Sequence, residues 1–327
     1  MSDPLPYAAP VFLVALVVEG VWARYSPRAL ASSIGCAAVD QIVAGWGLAL
    51  FVSAFAAVHA AIAPVELAPG RALTWIVAVL GHDVAYYAYH RASHRVTVLW
   101  AAHVVHHQSE RYDFTVSLRQ GAAATWITYA FYLPLALVID APVFLAVHAA
   151  YQVFQFFVHT RAVRSLGPLE AILATPSHHR VHHGSERRHL DRNYGGFFIV
   201  FDRWLGTFAR EDREPRYGVP GGFERASPLY ANTYLFARLV AASRGLRGRA
   251  LVRLWLGPPE GNAQLASSAA HVAGAVEPTL ARTWLPLAAG VAGAVAIMAG
   301  WAGAWIGIAS LLAIEIATSG LDRSGSA

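Results

Sequence analysis

Nine histidines carry the chemistry of this sequence. His90 and His94 form an H-x-x-x-H pair, His103, His106 and His107 an H-x-x-H-H group, and His179, His182 and His183 a second H-x-x-H-H group. Spacings of three and four residues bring side chains to one face of a helix, so each group reads as a helical cluster of imidazoles. Neutral imidazole is a nitrogen ligand for iron, zinc, copper or nickel. One metal takes roughly four to six ligands, so eight spaced histidines suggest two metals with room for a small ligand such as water or oxygen. His159 is a candidate ninth ligand, because it ends an apolar stretch level with the others. His178 points about 100° away from its neighbour on a helix and is the weaker candidate. His82 and His148 fall deeper in apolar segments, where hydrogen bonding between helices is the simpler role. Asp83 lies seven residues before His90, on nearly the same stripe, and is a candidate to orient a ligand histidine by hydrogen bonding. The competing role for this acid is a bond to a neighbouring helix.

The elements that position these residues are apolar. Of 327 residues, 56% are hydrophobic and 14% charged, a balance that points to a membrane protein. The net charge of +5 comes from arginine, and no lysine occurs. With no basic run interleaved with aromatics, nucleic acid is not an expected partner. A single cysteine, Cys36, excludes a disulfide framework and a thiolate metal site.

The expected fold is all-α: a polytopic integral membrane helical bundle with a cytosolic helical cap that carries the histidine-rich di-metal site. Expected spans run over about 7–22, 34–63, 72–89, 122–139, 142–158, 284–299 and 301–318. The first reads as a retained span and not a signal peptide. The expected organisation is N-terminal spans at 1–79, a hydroxylase core at 80–218, a cytosolic linker region at 219–283 and a C-terminal membrane hairpin and tail at 284–327. Arg24 and Arg28 place the first loop in the cytoplasm, and counting spans then puts Arg91, Arg95, Arg111, Arg119 and the arginine-rich 161–282 stretch inside as well. The same count sets His90 and His159 at the cytosolic face, where a substrate can enter sideways from lipid.

In H-E-x-x-H metalloproteases the glutamate is the base, but here the first group reads His90-Arg91-Ala92-Ser93-His94, which disfavours that chemistry. A redox metal pair that activates O2 against an unactivated C–H bond fits better. A zinc-dependent membrane lipid hydrolase, with Glu110 or Glu186 as base, is the alternative. A metal transporter is disfavoured, since the histidines gather at one face.

The stretches from Asp83 to His94, Trp100 to Ser109, Ser117 to Gln120 and Phe157 to Thr160 resemble the fatty acid hydroxylase/sterol desaturase superfamily. So do Leu166 to Gly184, Asn193-Tyr194-Gly195-Gly196 and Asp202 to Phe208. Within it the chain is most similar to the branch that cleaves ether lipids. The resemblance implies a non-haem di-iron centre held by His90, His94, His103, His106, His107, His179, His182 and His183, with O2 as oxidant and a lipid as substrate. It implies hydroxylation at a C–H bond, in that branch at the ether-linked carbon with collapse to an aldehyde and a glycerol. Desaturation begins with the same hydrogen abstraction. It further implies a separate electron donor, tetrahydrobiopterin in that branch. The alanine- and arginine-rich, lysine-free composition resembles that of a GC-rich bacterial genome, so a bacterial inner membrane is the expected location.

Overall fold

The computed structural model describes residues 5–261, apart from 66, 221 and 224–226. The expected C-terminal hairpin and tail lie outside the described residues. Ten α-helices occur among them: α1 Leu5–Ala23, α2 Pro27–Ile62, α3 Ala72–Arg95, α4 Thr97–His107, α5 Ala122–Tyr132, α6 Ala141–Phe157, α7 Pro176–His182, α8 Val200–Leu205, α9 Pro228–Ala242 and α10 Gly248–Leu256. Short 3-10 turns and two isolated β-bridges, Leu173 to Phe198 and Gly184 to Tyr217, complete the described part. Among the described residues the all-α expectation is met.

Local sequence signals set the helix starts. Ser26, Asp140 and Ser227 each accept a backbone N–H of the following turn, with proline in the first turn of α2, α6 and α9. Proline lacks the N–H that a first turn leaves unbonded and holds φ near its helical value, so this pairing starts helices cleanly.

The spans are less regular than the hydropathy suggests. No single described helix is long and apolar enough to cross a membrane. Pro27–Ala44 and Gly47–Ile62 pass the test together, bent by 42°, while Pro10–Ala23, Ala122–Leu137 and Ala141–Phe157 are shorter apolar helices. The expected 122–139 span breaks after Tyr132 into a 3-10 turn at Leu133–Leu137. Pro134 sits in the first turn of that segment, where it cannot donate to the preceding helical turn.

The third apolar stretch does not stop before the first histidine pair. Helix α3 continues through His90 and His94 to Arg95, so both rings ride on one rigid element. Its inner face buries Thr74, Ala78, His82, Tyr89, His90 and His94, and its outer face exposes Leu73, Ile76, Leu80 and Val84. Helices α2, α3, α5 and α6 enclose a core of Phe51, Phe55, Ala78, Tyr132, Phe144 and Val147. Helix α4 folds back beside α3, closed on its other side by Leu235 and Leu239 of α9 and Leu254 of α10. The N-terminus of α5 comes so near α4 that a Cβ on Gly121 would lie 1.9 Å from the Ala102 carbonyl oxygen, which fixes glycine there.

Candidate metal centre

The nine histidines gather into two buried clusters. His90, His94, His103, His107 and His182 form one, and His106, His159, His179 and His183 form the other; within each, the potential ligand atoms lie within 4.8 Å of one another. Helix α3 supplies His90 and His94, α4 supplies His103, His106 and His107, and α7 with its C-cap supplies His179, His182 and His183. His159 follows the end of α6.

The two H-x-x-H-H groups do not each serve one cluster. His103 and His107 enter the five-histidine cluster while His106 enters the other, and on α7 His179 and His183 enter the four-histidine cluster while His182 crosses to the first. On a helix, positions i and i+4 lie about 40° apart, whereas i+3 and i+4 differ by about 100°. Each motif therefore sends its outer pair to one side and its middle histidine to the other. The expectation that each group shares a single face is corrected in this respect. The rings of His107 and His183 stack at 4.4 Å between centroids, so the two clusters abut.

Backbone carbonyls fix the rings. His90 Nδ1 lies 2.9 Å from the Tyr194 carbonyl oxygen, His182 Nδ1 2.9 Å from that of Arg192, His106 Nδ1 3.2 Å from that of Arg119, and His159 Nδ1 2.7 Å from that of Gln155. A carbonyl only accepts, so each Nδ1 carries the proton and each Nε2 presents a lone pair. In the first cluster, Nε2 of His90, His94 and His182 is buried with no hydrogen-bond partner. In the second, the Nε2 atoms of His106 and His159 stand 3.1 Å apart, those of His159 and His179 3.0 Å, and those of His179 and His183 3.2 Å. Two lone pairs at such a distance repel, and a cation between them turns the repulsion into ligation. The donor set therefore fits a pair of metal ions. Burial is the first cause holding these rings neutral: it pushes His106 down to about 4 and His182 down to about 3, and His94, His103, His107, His179 and His183 well below the ordinary histidine range, with neighbouring imidazoles adding to the effect at all of these except His106, where the Arg119 guanidinium does.

Two buried carboxylates shape the loop that holds His90. Asp202 accepts from the Tyr194 N–H at 2.8 Å, the Gly195 N–H at 2.7 Å and the Thr207 hydroxyl at 2.6 Å. Asp83 accepts from the Tyr151 hydroxyl at 2.6 Å and from the Phe197 and Phe198 N–H groups at 2.7 and 3.0 Å. Asp83 thus bonds a neighbouring helix and this loop, and no histidine among the described residues; any effect on His90 passes through the loop backbone. Asn193 turns the chain with φ 55°, and its side chain donates to the carbonyls of His178 and Ala209.

His178 belongs to neither cluster. Its Nδ1 accepts the Thr175 N–H at 3.3 Å at the start of α7, and its ring lies edge-on to Phe208. His82 bonds His148 at 3.1 Å between α3 and α6, in line with the interhelical role. His59 bonds the Ala136 carbonyl, and His271 lies outside the described residues.

Three supporting groups had no role assigned from the sequence. Asp202 is one. Glu19 of α1 is another: it accepts from Tyr25, from the Phe114 N–H and from Thr160, the residue after His159. A lone acid in an otherwise apolar helix was its available signal. Arg180 is the third, pairing with Glu211 and donating to the carbonyls of Thr160, Val163 and Arg164 beneath α7.

Residues 75–207, which contain all nine histidines, match the fatty acid hydroxylase family model. The chain is 44% identical over 198 residues to alkylglycerol monooxygenase of Danio rerio, covering 59% of this chain and 44% of that protein. It is 44% identical over 157 residues to alkylglycerol monooxygenase of Homo sapiens, covering 48% and 35%. It is 30% identical over 135 residues to ornithine lipid hydroxylase OlsE of Rhizobium tropici, covering 39% of each. The chain thus spans less than half the length of these curated relatives, and no solved structure matches it. The region that builds both histidine clusters belongs to the fatty acid hydroxylase family.

Proposed function

We propose that this chain is a membrane-bound non-haem di-iron oxygenase that uses O2 to hydroxylate a C–H bond of a lipid. The observation that carries the reading is the pair of abutting clusters whose Nε2 lone pairs converge while carbonyls hold the opposite nitrogens. His90, His94, His103, His107 and His182 would hold one iron, and His106, His159, His179 and His183 the other. When bound, such a pair supplies the reducing electrons and the oxidising power needed to break an unactivated C–H bond. The chain's own residues fix the tautomers of His90, His106, His159 and His182, hold the rings neutral by burial, and exclude bulk water from both clusters. Neither cluster contains a carboxylate among the described residues, so a zinc hydrolase would have to draw its general base from outside both. Glu186, one base considered for it, pairs with Arg213 and Arg188 instead.

A lipid substrate is supported by the relatives' names and by the surface. Val14, Val17, Val18 and Val21 of α1 and Leu73, Ile76, Leu80 and Val84 of α3 are exposed. Apolar faces of this extent mark contact with another apolar phase. The ether carbon of an alkylglycerol-type lipid is the proposed point of attack, with tetrahydrobiopterin as the separate electron donor and the cytosolic face of a bacterial inner membrane as the site's location.

The test is elemental analysis of anaerobically purified protein, followed by oxygen uptake with an ether lipid and tetrahydropterin. Two irons per chain and lipid-dependent O2 consumption that yields an aldehyde are the expected result. One zinc per chain, with no iron-dependent O2 uptake on any lipid, refutes it.

A further inference from the structure

A cleft of about 640 Å³ is lined in part by Ser177 and His178 of α7, and none of the nine clustered histidines lines it. Three guanidinium groups do: Arg164, Arg203 and Arg210. Its two carboxylates are already engaged. Glu170 accepts from the Leu166 N–H and the Ser177 hydroxyl, and Glu211 takes both oxygens to Arg180. Arg203 stacks over Phe208 at 3.8 Å and donates to the Glu170 carbonyl. No ion pair joins Arg164 or Arg210 to a carboxylate among the described residues. The cleft therefore presents positive charge that its own acids do not neutralise.

Its position relative to the apolar surface selects the anion. The segment beside the cleft is tied to α3 at Asp83 through the Phe197 and Phe198 N–H groups, and Phe197 packs on Phe154 of α6 at 4.6 Å. Asp83 lies about 10 Å along α3 from His90, toward the apolar end. Along this segment Leu169, Ile172, Trp204 and Leu205 are exposed, Trp204 by 76%. These exposed side chains flank the segment that is hydrogen-bonded to α3 at Asp83. An exposed tryptophan and aliphatic side chains beside arginines is the arrangement that places apolar groups among acyl chains and guanidinium groups at the phosphate level.

We propose that this cleft binds the phosphate of a membrane phospholipid headgroup, with Arg164 and Arg210 as its donors and the Leu169, Ile172 and Trp204 side chains against the acyl chains. The site rests on the membrane reading above and is separate from the oxidation site. It seats the domain at a fixed depth, with the metal clusters at the level of the headgroups.

The test uses the full chain in detergent, stripped of lipid, and native mass spectrometry. The probes are phosphatidylglycerol, diacylglycerol of the same acyl chains, and inorganic phosphate. Phosphatidylglycerol should remain bound where diacylglycerol dissociates, and R164Q/R210Q should weaken it by roughly tenfold or more, since each guanidinium makes charge-assisted bonds to phosphate. Iron content should be unchanged in that variant. Equal retention of diacylglycerol, or unchanged phosphatidylglycerol binding by R164Q/R210Q, overturns the proposal. Inorganic phosphate binding that depends on both arginines, without selective phosphatidylglycerol binding, reassigns the cleft to a free anion and overturns the lipid occupant. Wild-type protein that selects phosphatidylglycerol but holds no iron refutes the oxygenase and leaves this site standing.

Discussion

Asp202→Asn offers a direct test of how the protein holds its first histidine cluster. The carboxylate is fully buried and accepts three hydrogen bonds, from Tyr194 N–H, Gly195 N–H and the Thr207 hydroxyl. An amide in its place has one oxygen, so at least one donor loses its acceptor and faces an NH2 group. A buried donor left without a partner costs about 1–3 kcal/mol, and losing the charge on the remaining bonds adds about another 1 kcal/mol. The strain falls on the Tyr194 peptide, whose carbonyl holds His90 Nδ1 at 2.9 Å. Loss of such an orienting partner typically lowers metal affinity by roughly 10- to 100-fold. The four-histidine cluster takes its carbonyl contacts from Arg119 and Gln155 and is untouched. The variant should therefore fold with a lowered melting temperature, lose one metal equivalent on mild chelation, and keep the other. Metal content and chelator titration measure this directly. Two metals held with wild-type affinity would refute the role given to Asp202, and simultaneous loss of both would show that the clusters do not depend on separate supports.

Three further outcomes follow from the same geometry. His182→Ala and His183→Ala remove sequence neighbours assigned to different clusters, so each should lose a different metal equivalent, and the double variant should hold neither, as read by elemental analysis after chelation. His178→Ala should keep both metals and lose only about 1 kcal/mol of stability, the ordinary value of a helix-start contact, measured by thermal unfolding. Gly196→Ala places a methyl group 1.2 Å from the Tyr151 hydroxyl oxygen, the group that donates to Asp83, so it should destabilise the fold by about 1–3 kcal/mol or more and reduce the yield of folded protein.

Much of the centre was legible before folding. Imidazole is a rare side chain with one dominant chemistry in groups, and helical spacing is a local property, so eight of the nine clustered residues could be named from spacing and His159 from its place at the end of an apolar stretch. The starts of α2, α6 and α9 are set equally locally, since a cap and its proline act within one turn, though only the one at Pro142 was read from the sequence. His178 shows the limit of the same logic: spacing alone left its place open, and its contact with the Thr175 N–H exists only once α7 has formed.

The sequence by itself determined which histidines gather, the helical class of the described residues and the apolar character of the chain, because each follows from residue type and short-range periodicity. Only the tertiary structure decided how the donors divide. Whether His106 and His107 share a metal depends on what stands 100° apart around α4, and that is set by α3 on one side and by α6 and α7 on the other. The carbonyls that fix the tautomers come from residues up to 104 positions away, as Tyr194 does for His90, and a peptide carbonyl leaves no signature in sequence because every residue has one. The same reason hid Asp202 and Glu19: each is one acid among twenty in composition, and burial against particular N–H groups is what makes them supports of the site.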